Sequence, residues 1–234
     1  MTKRRYAVPK GLLAGTVFLA SLLAVVTVTA QGLPEGIGLL IAHARKANAA
    51  QLRQYAWTSR TELIVSGQVK DIRIDLVNYG PDGQLQRTLL NDQNAPLPRG
   101  FLRRAIAENE RKKTEDYLAG LRALLEQYTL STTGKVLDFT EQAKVSGPDS
   151  QGLLHLTGNG VVVPGDSMTV SADMASRQTR RITVNTSFQG DPVELTATFK
   201  TLPGGPTCMA FAEVTVPGKQ MNLQAQNFDY HRSY

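Results

Sequence analysis

The chain has 234 residues and a formal net charge of +6, yet four of its 26 basic residues and none of its 20 acidic ones precede Gln31. Beyond that point 22 basic residues face 20 acidic ones, a balance that removes the main reason to expect a nucleic-acid partner, which would require a concentrated basic face. A single cysteine, Cys208, excludes an intramolecular disulfide and leaves stability to packing.

The first thirty residues have the layout of an export signal. Lys3, Arg4, Arg5 and Lys10 form a basic head, an uncharged apolar run extends from Leu12 to Thr27, and Val28-Thr29-Ala30 supplies the small residues of a cleavage site. Cleavage after Ala30 and retention as a membrane anchor both stay open, because the run approaches the ~20 residues that span a bilayer. No cysteine lies near that point, so lipoprotein-type acylation there is excluded. Both alternatives place the rest of the chain outside the cytoplasm, in the periplasm or an equivalent compartment. Residues 31–234 are enough for one domain with its own core, touching a membrane only through an uncleaved signal or transiently.

Pro34 opens a helical pattern in which Ile37, Leu40, Ile41, Ala44 and Ala47 recur until about Gln54. From Tyr55 the period becomes two, with Trp57, Ser59, Thr61, Leu63 and Val65 on one face. A turn at Ser66-Gly67 leads to a strand containing Ile72, Ile74 and Leu76, and Gly80-Pro81-Asp82-Gly83 reverses the chain into a third from Gln84 to Leu90. A helical insertion spans about 99–144. Its main segment runs from Gly100 to Tyr128, with Phe101, Ala105, Tyr117, Leu121, Leu124, Leu125 and Tyr128 as the apolar stripe. A short helix over Leu137 to Lys144 follows, and Gly120 marks a bend or a close contact.

The remaining third reads as six strands: Leu153 to Val163, Ser167 to Met174, Gln178 to Gln189, Pro192 to Leu202, Thr207 to Val216 and Lys219 to Phe228. Ile182, Val184, Val193, Leu195, Ala197 and Phe199 alternate with polar residues, so one face is solvated and the other needs cover. The fold class is therefore α+β, a broad curved antiparallel sheet with helices over its apolar face.

Reactive chemistry is hard to find in this pattern. There is no nucleophile elbow and no P-loop, and His43, His155 and His231 are far apart in sequence. Neither a His pair at helical spacing nor a second thiol offers a metal site, so no metal and no cofactor is expected. Acid pairs such as Asp71 with Asp75, or Glu115 with Asp116, read as solvent-facing. Cys208 reads as a buried small hydrophobe. Arg177, Arg180 and Arg181 form a basic hairpin cluster. Trp57, the only tryptophan, either lines a hollow or fills the core.

Several motifs resemble the bacterial periplasmic lipoprotein-carrier (LolA/LolB/RseB-like) superfamily. They are Tyr55-Ala56-Trp57 with Arg60-Thr61-Glu62, Tyr79 with Pro81-Asp82-Gly83-Gln84, Pro164-Gly165-Asp166-Ser167, Asp173 with Arg177 and Arg180-Arg181, and Gly190-Asp191-Pro192-Val193. Within that superfamily the chain is closer to exported proteins of unassigned role than to the carriers themselves. The resemblance implies an incomplete β-barrel whose apolar concave side is capped by helices, in some members holding an acyl chain. It implies a non-enzymatic envelope protein binding a lipid, a lipoprotein acyl chain or another hydrophobic group between sheet and helices, with Trp57, Leu63, Val184, Leu195 and Phe199 as candidate ligand contacts. The alternative is a structural or regulatory interaction module with an envelope protein as partner. An unrecognised hydrolase would need His155 or His43 to meet an acid and a nucleophile in a cleft.

Overall fold

The structure, a computed structural model, describes residues 37–94, 101–173, 175–176 and 178–233, with side chains described for all of these except 37, 94 and 101–107. The expected export signal, Pro34, Met174, Arg177, part of the loop after Asp92, and the Ile37, Phe101 and Ala105 side chains lie outside the described residues.

Helix α1 (Ile37–Leu52) leads into β1 (Tyr55–Val65), β2 (Gln68–Tyr79) and β3 (Leu85–Asn94). Helices α2 (Phe101–Gln127) and α3 (Thr133–Gln142) follow. Then come β4 (Lys144–Ser146), β5 (Leu153–Asn159), β6 (Ser167–Asp173), β7 (Gln178–Phe188), β8 (Asp191–Thr201), β9 (Thr207–Val216) and β10 (Met221–Arg232). All ten strands form one antiparallel sheet in the order β3-β2-β1-β10-β9-β8-β7-β6-β5-β4. The edges, β3 and β4, do not pair with each other, so the sheet is open. They are nevertheless consecutive strands, and the chain between them contains α2 and α3.

Residues directly opposite across a ladder share a face. The register sets Leu63, Leu223, Val214, Leu195, Val184 and Met168 in one row. Thr61, Ala225, Ala212, Ala197, Ile182, Val170 and Leu156 form the next. This is the apolar face that alternation implied, and the helices lie on it. Leu121 of α2 packs with Val193, Val214, Val216 and Met221. The C-terminal part of α2 and α3 supply Leu124, Tyr128, Val136 and Phe139 to a second cluster with Leu156, Met168, Val170 and Val184. Close approach depends on two glycines: a Cβ on Gly120 would stand 2.6 Å from the Phe188 ring, and one on Gly158 would stand 2.8 Å from Phe139.

Several boundaries differ from the sequence reading for local reasons. The strand expected to reach Val163 ends at Asn159, because the backbone N–H groups of Val161, Val162 and Val163 donate to the Asp166 carboxylate at 2.6, 2.8 and 2.7 Å. That carboxylate also accepts the Tyr128 hydroxyl at 2.6 Å, tying the end of α2 to the loop between β5 and β6. The short helix starts at Thr133, with Thr132 as its N-cap accepting the Lys135 N–H at 3.2 Å. The third strand continues past Leu90 to Asn94 because β2 offers partners as far as Asp71. Asp75, read as solvent-facing, is 1% exposed, and Arg73 donates to both of its oxygens at 2.9 Å while Arg87 approaches at 3.3 Å.

Leu121 is 2% exposed, so Leu121→Ala should lower unfolding free energy by about 2–5 kcal/mol in a denaturant titration. Asp166 supplies a pH signature. Burial alone would raise its pKa, but the Tyr128 hydroxyl and the three backbone donors together hold it below the ordinary carboxylate value. A depressed folded pKa gives stability that is present above the unfolded value of about 4 and lost as pH falls through the folded one. Tyr128→Phe should therefore cost about 1–3 kcal/mol at neutral pH. Its difference from the wild type should shrink as the solution is acidified.

Candidate functional site

Helix α1 rests on α3 at one end and reaches toward β9, spanning a stretch of sheet that α2 and α3 leave uncovered. The side chains it turns to this space include Ala44, Ala47 and Asn48, and those opposite include Ala172, Gly205, Thr207 and Cys208. Short side chains on both walls cannot meet across a helix-to-sheet gap, and a cavity of about 650 Å³ results. That volume lies within the ~300–1,000 Å³ range of small-molecule sites. Its deep walls are Leu130, Val136, Phe139, Leu156 and Val170, all buried. Its rim includes the half-exposed Leu40 and the exposed Gln51 and Ser176.

The polar groups of the wall are largely occupied by the protein itself. Asn48 donates to the Thr207 carbonyl at 2.8 Å and accepts the Thr207 N–H at 2.7 Å, pinning α1 to β9. The Thr140 hydroxyl donates to the Leu137 carbonyl at 3.0 Å, and Gln178 accepts from the Thr201 hydroxyl. Among the described residues lining the cavity, Arg45 is the one that is charged, and burial pulls its pKa below the ordinary guanidinium value. Cys208 is buried in the wall, and burial, against smaller opposing effects of Tyr230 and Lys200, pushes its thiol up.

The five candidate ligand contacts fall into three places. Phe199 lines the cavity. Leu63, Leu195 and Val184 share one cross-strand row, with Leu63 and Leu195 against the cluster under α2 and Val184 wholly buried beneath the helices. Trp57 stands one ring behind the wall, stacked on Tyr230 at 5.4 Å and 6.0 Å from Tyr79, which does line the cavity. The contacts from α1 and from β5 and β6 went unread in the sequence. The available signal was the alanine-rich run from Ala42 to Ala50, too short in side chain to fill a helix-to-sheet gap.

The sheet also brings His155 to an acid and a hydroxyl. His155 Nδ1 lies 2.9 Å from Ser171 Oγ and Nε2 lies 3.1 Å from Asp149 Oδ2. Leu154, Leu156, Val170 and Ala172 line the cavity, so the alternating His155 and Ser171 belong to the opposite face of the sheet. Ser171 is 5% exposed and is capped by the imidazole. Asp149 also accepts the Gln151 and Leu153 N–H groups at 2.8 and 3.0 Å. The arrangement holds the loop before β5, and its hydroxyl has no open approach for a substrate carbon. Among the described residues no group of three or more His, Cys, Asp or Glu could hold a metal ion. No described helix is long and apolar enough to cross a membrane.

No protein-family model matches the chain, and no curated protein matches it. Solved structures do align with it. One is a DUF1329 family protein from Desulfovibrio piger, at a TM-score of 0.38 and 7% identity over 86% of this chain and 93% of that one. A second is described as an outer membrane lipoprotein-sorting protein domain from Vibrio parahaemolyticus, at 0.39 and 11% over 84% and 92%. A third is a LolA superfamily protein from Nitrosomonas europaea, at 0.37 and 8% over 84% and 94%.

The single thiol reports on the cavity wall. Because burial raises its pKa, Cys208 should react with iodoacetamide more slowly than free cysteine at neutral pH, and faster as pH rises. Peptide mass analysis of timed samples reads this directly. Reaction at the rate of a free thiol would place Cys208 at an open surface.

Proposed function

We propose that this chain is an exported, non-enzymatic protein of the cell envelope that holds a lipid, a lipoprotein acyl chain or another hydrophobic group in the cavity between α1, α3 and the sheet. The observation that carries this reading is the cavity itself. It is largely walled by aliphatic and aromatic side chains, it is open at a rim, and most of its polar groups already have protein partners, which is the composition of a site for an apolar guest. The signal-like head of the sequence supports an extracytoplasmic setting. The buried Ser171 hydroxyl, capped by the part-exposed His155 ring, supports binding without turnover.

A second reading is favoured by β3. This edge strand leaves one side of its backbone without a strand partner, and Leu85, Leu89 and Leu90 are each about half exposed. An envelope protein could add a strand there, as extended partners do on open sheet edges.

The two readings separate in one experiment. Protein purified from its native host is examined by native mass spectrometry, and then titrated with an apolar fluorescent dye beside an Ala172→Trp variant that fills the cavity. Co-purifying lipid, with saturable dye binding weakened about ten-fold or more by the variant, is the expected result. No retained lipid and no saturable dye binding would reject the ligand reading in favour of the edge strand.

A further inference from the structure

We infer that the guest of this cavity is an amphiphile with one compact anionic head, held by Arg45. This rests on the ligand-binding reading above and narrows it to a substrate class. Arg45 sits in the middle of α1 and is the one charged residue among the described residues that line the cavity. Its Nη2 donates to the Leu130 carbonyl at 3.1 Å. Among the described residues that is its only hydrogen bond, and no carboxylate lies within salt-bridge distance. A guanidinium has five N–H donors in a planar fork suited to a carboxylate or phosphate. Here one donor fixes the fork and the others have no partner among the described residues.

The neighbouring polar groups sharpen the point. Asn48 and Thr140 spend their side-chain donors on protein carbonyls, so neither competes for a head group. A shielded cation with no counter-charge is costly to keep. An anion arriving on an apolar chain removes that cost while the chain covers Leu156, Val170 and Phe139. Neutral apolar guests gain the second effect and not the first. The head chemistry required is therefore a compact anionic group with two or more acceptor oxygens, which a fatty-acid carboxylate and an alkyl phosphate both provide.

Purified protein is titrated by calorimetry at neutral pH with dodecanoate, dodecyl phosphate and dodecanol, and the series is repeated on Arg45→Met and Arg45→Lys. At least one of the two anions should bind the wild type about ten-fold or more tighter than dodecanol. Whichever anion is tighter identifies the head group as carboxylate or phosphate. In Arg45→Met the preference should vanish while dodecanol binds as before, and in Arg45→Lys part of it should return. Equal binding of anions and dodecanol by the wild type, which needs no variant to fold, would overturn the role of Arg45 and leave the cavity reading standing. Failure of all three compounds to bind would overturn both.

Discussion

The structure depends on one topological constraint: β3 and β4 are neighbours in the chain and opposite edges of a ten-stranded sheet. An antiparallel meander could otherwise close or flatten. Here the connection must return across the whole width of the apolar face, and it does so as α2 and α3. Burial of that face and continuity of the chain are thus met by the same segment. The sheet can stay open because its concave side is covered by helix, with the Leu121 and Phe139 clusters as the two points of attachment.

Coverage by two helices of fixed length leaves a remainder, and α1 roofs it. Asn48 holds α1 to β9 through two hydrogen bonds, and Gly38 lets it approach α3, since a Cβ there would stand 2.5 Å from the Thr140 hydroxyl. Between these two anchors the helix turns Ala44 and Ala47 toward the cavity beside Leu40, Ile41 and Arg45. Larger residues would have produced a filled core, because interiors pack to high density wherever side chains reach. The hollow is therefore a consequence of side-chain length at a handful of positions, and the placement of one arginine among them gives it a polarity. The tie from Tyr128 and Asp166 to the loop after β5 fixes the other end of the helical layer, so the roof is clamped on more than one side.

Much of the sheet was legible in the sequence. The strands around Ile182, Leu195 and Val214 show clean alternation because one face meets water, and that pattern is local. The long helix declared itself through the spacing of Tyr117, Leu121, Leu124 and Tyr128. Valines 161–163 misled, since their strand propensity yields to a carboxylate several residues on, a side-chain interaction that no period records. Asp75 misled for a similar reason: Arg73, two residues back on β2, folds over it, and Arg87 reaches it through the pairing of β2 with β3. The site was the least legible part. Trp57, Leu63, Val184, Leu195 and Phe199 are large apolar residues of the strands, and of these Phe199 lines the cavity, whose walls also depend on small residues such as Ala44, Ala172 and Gly205. Its position depends on where α1 lands relative to β9, about 160 residues away in the chain, and nothing local encodes that.

A fatty acid bearing a terminal photoreactive diazirine, irradiated with the purified protein and mapped by peptide mass spectrometry, probes the cavity without any variant. The expected adducts lie on α1 and on β5, β6 and β9, at residues such as Ala44, Leu156, Val170 and Cys208, and excess unlabelled fatty acid abolishes them. Adducts confined to β3 or to the outer face around His155, or adducts unaffected by the competitor, would contradict a ligand site beneath α1.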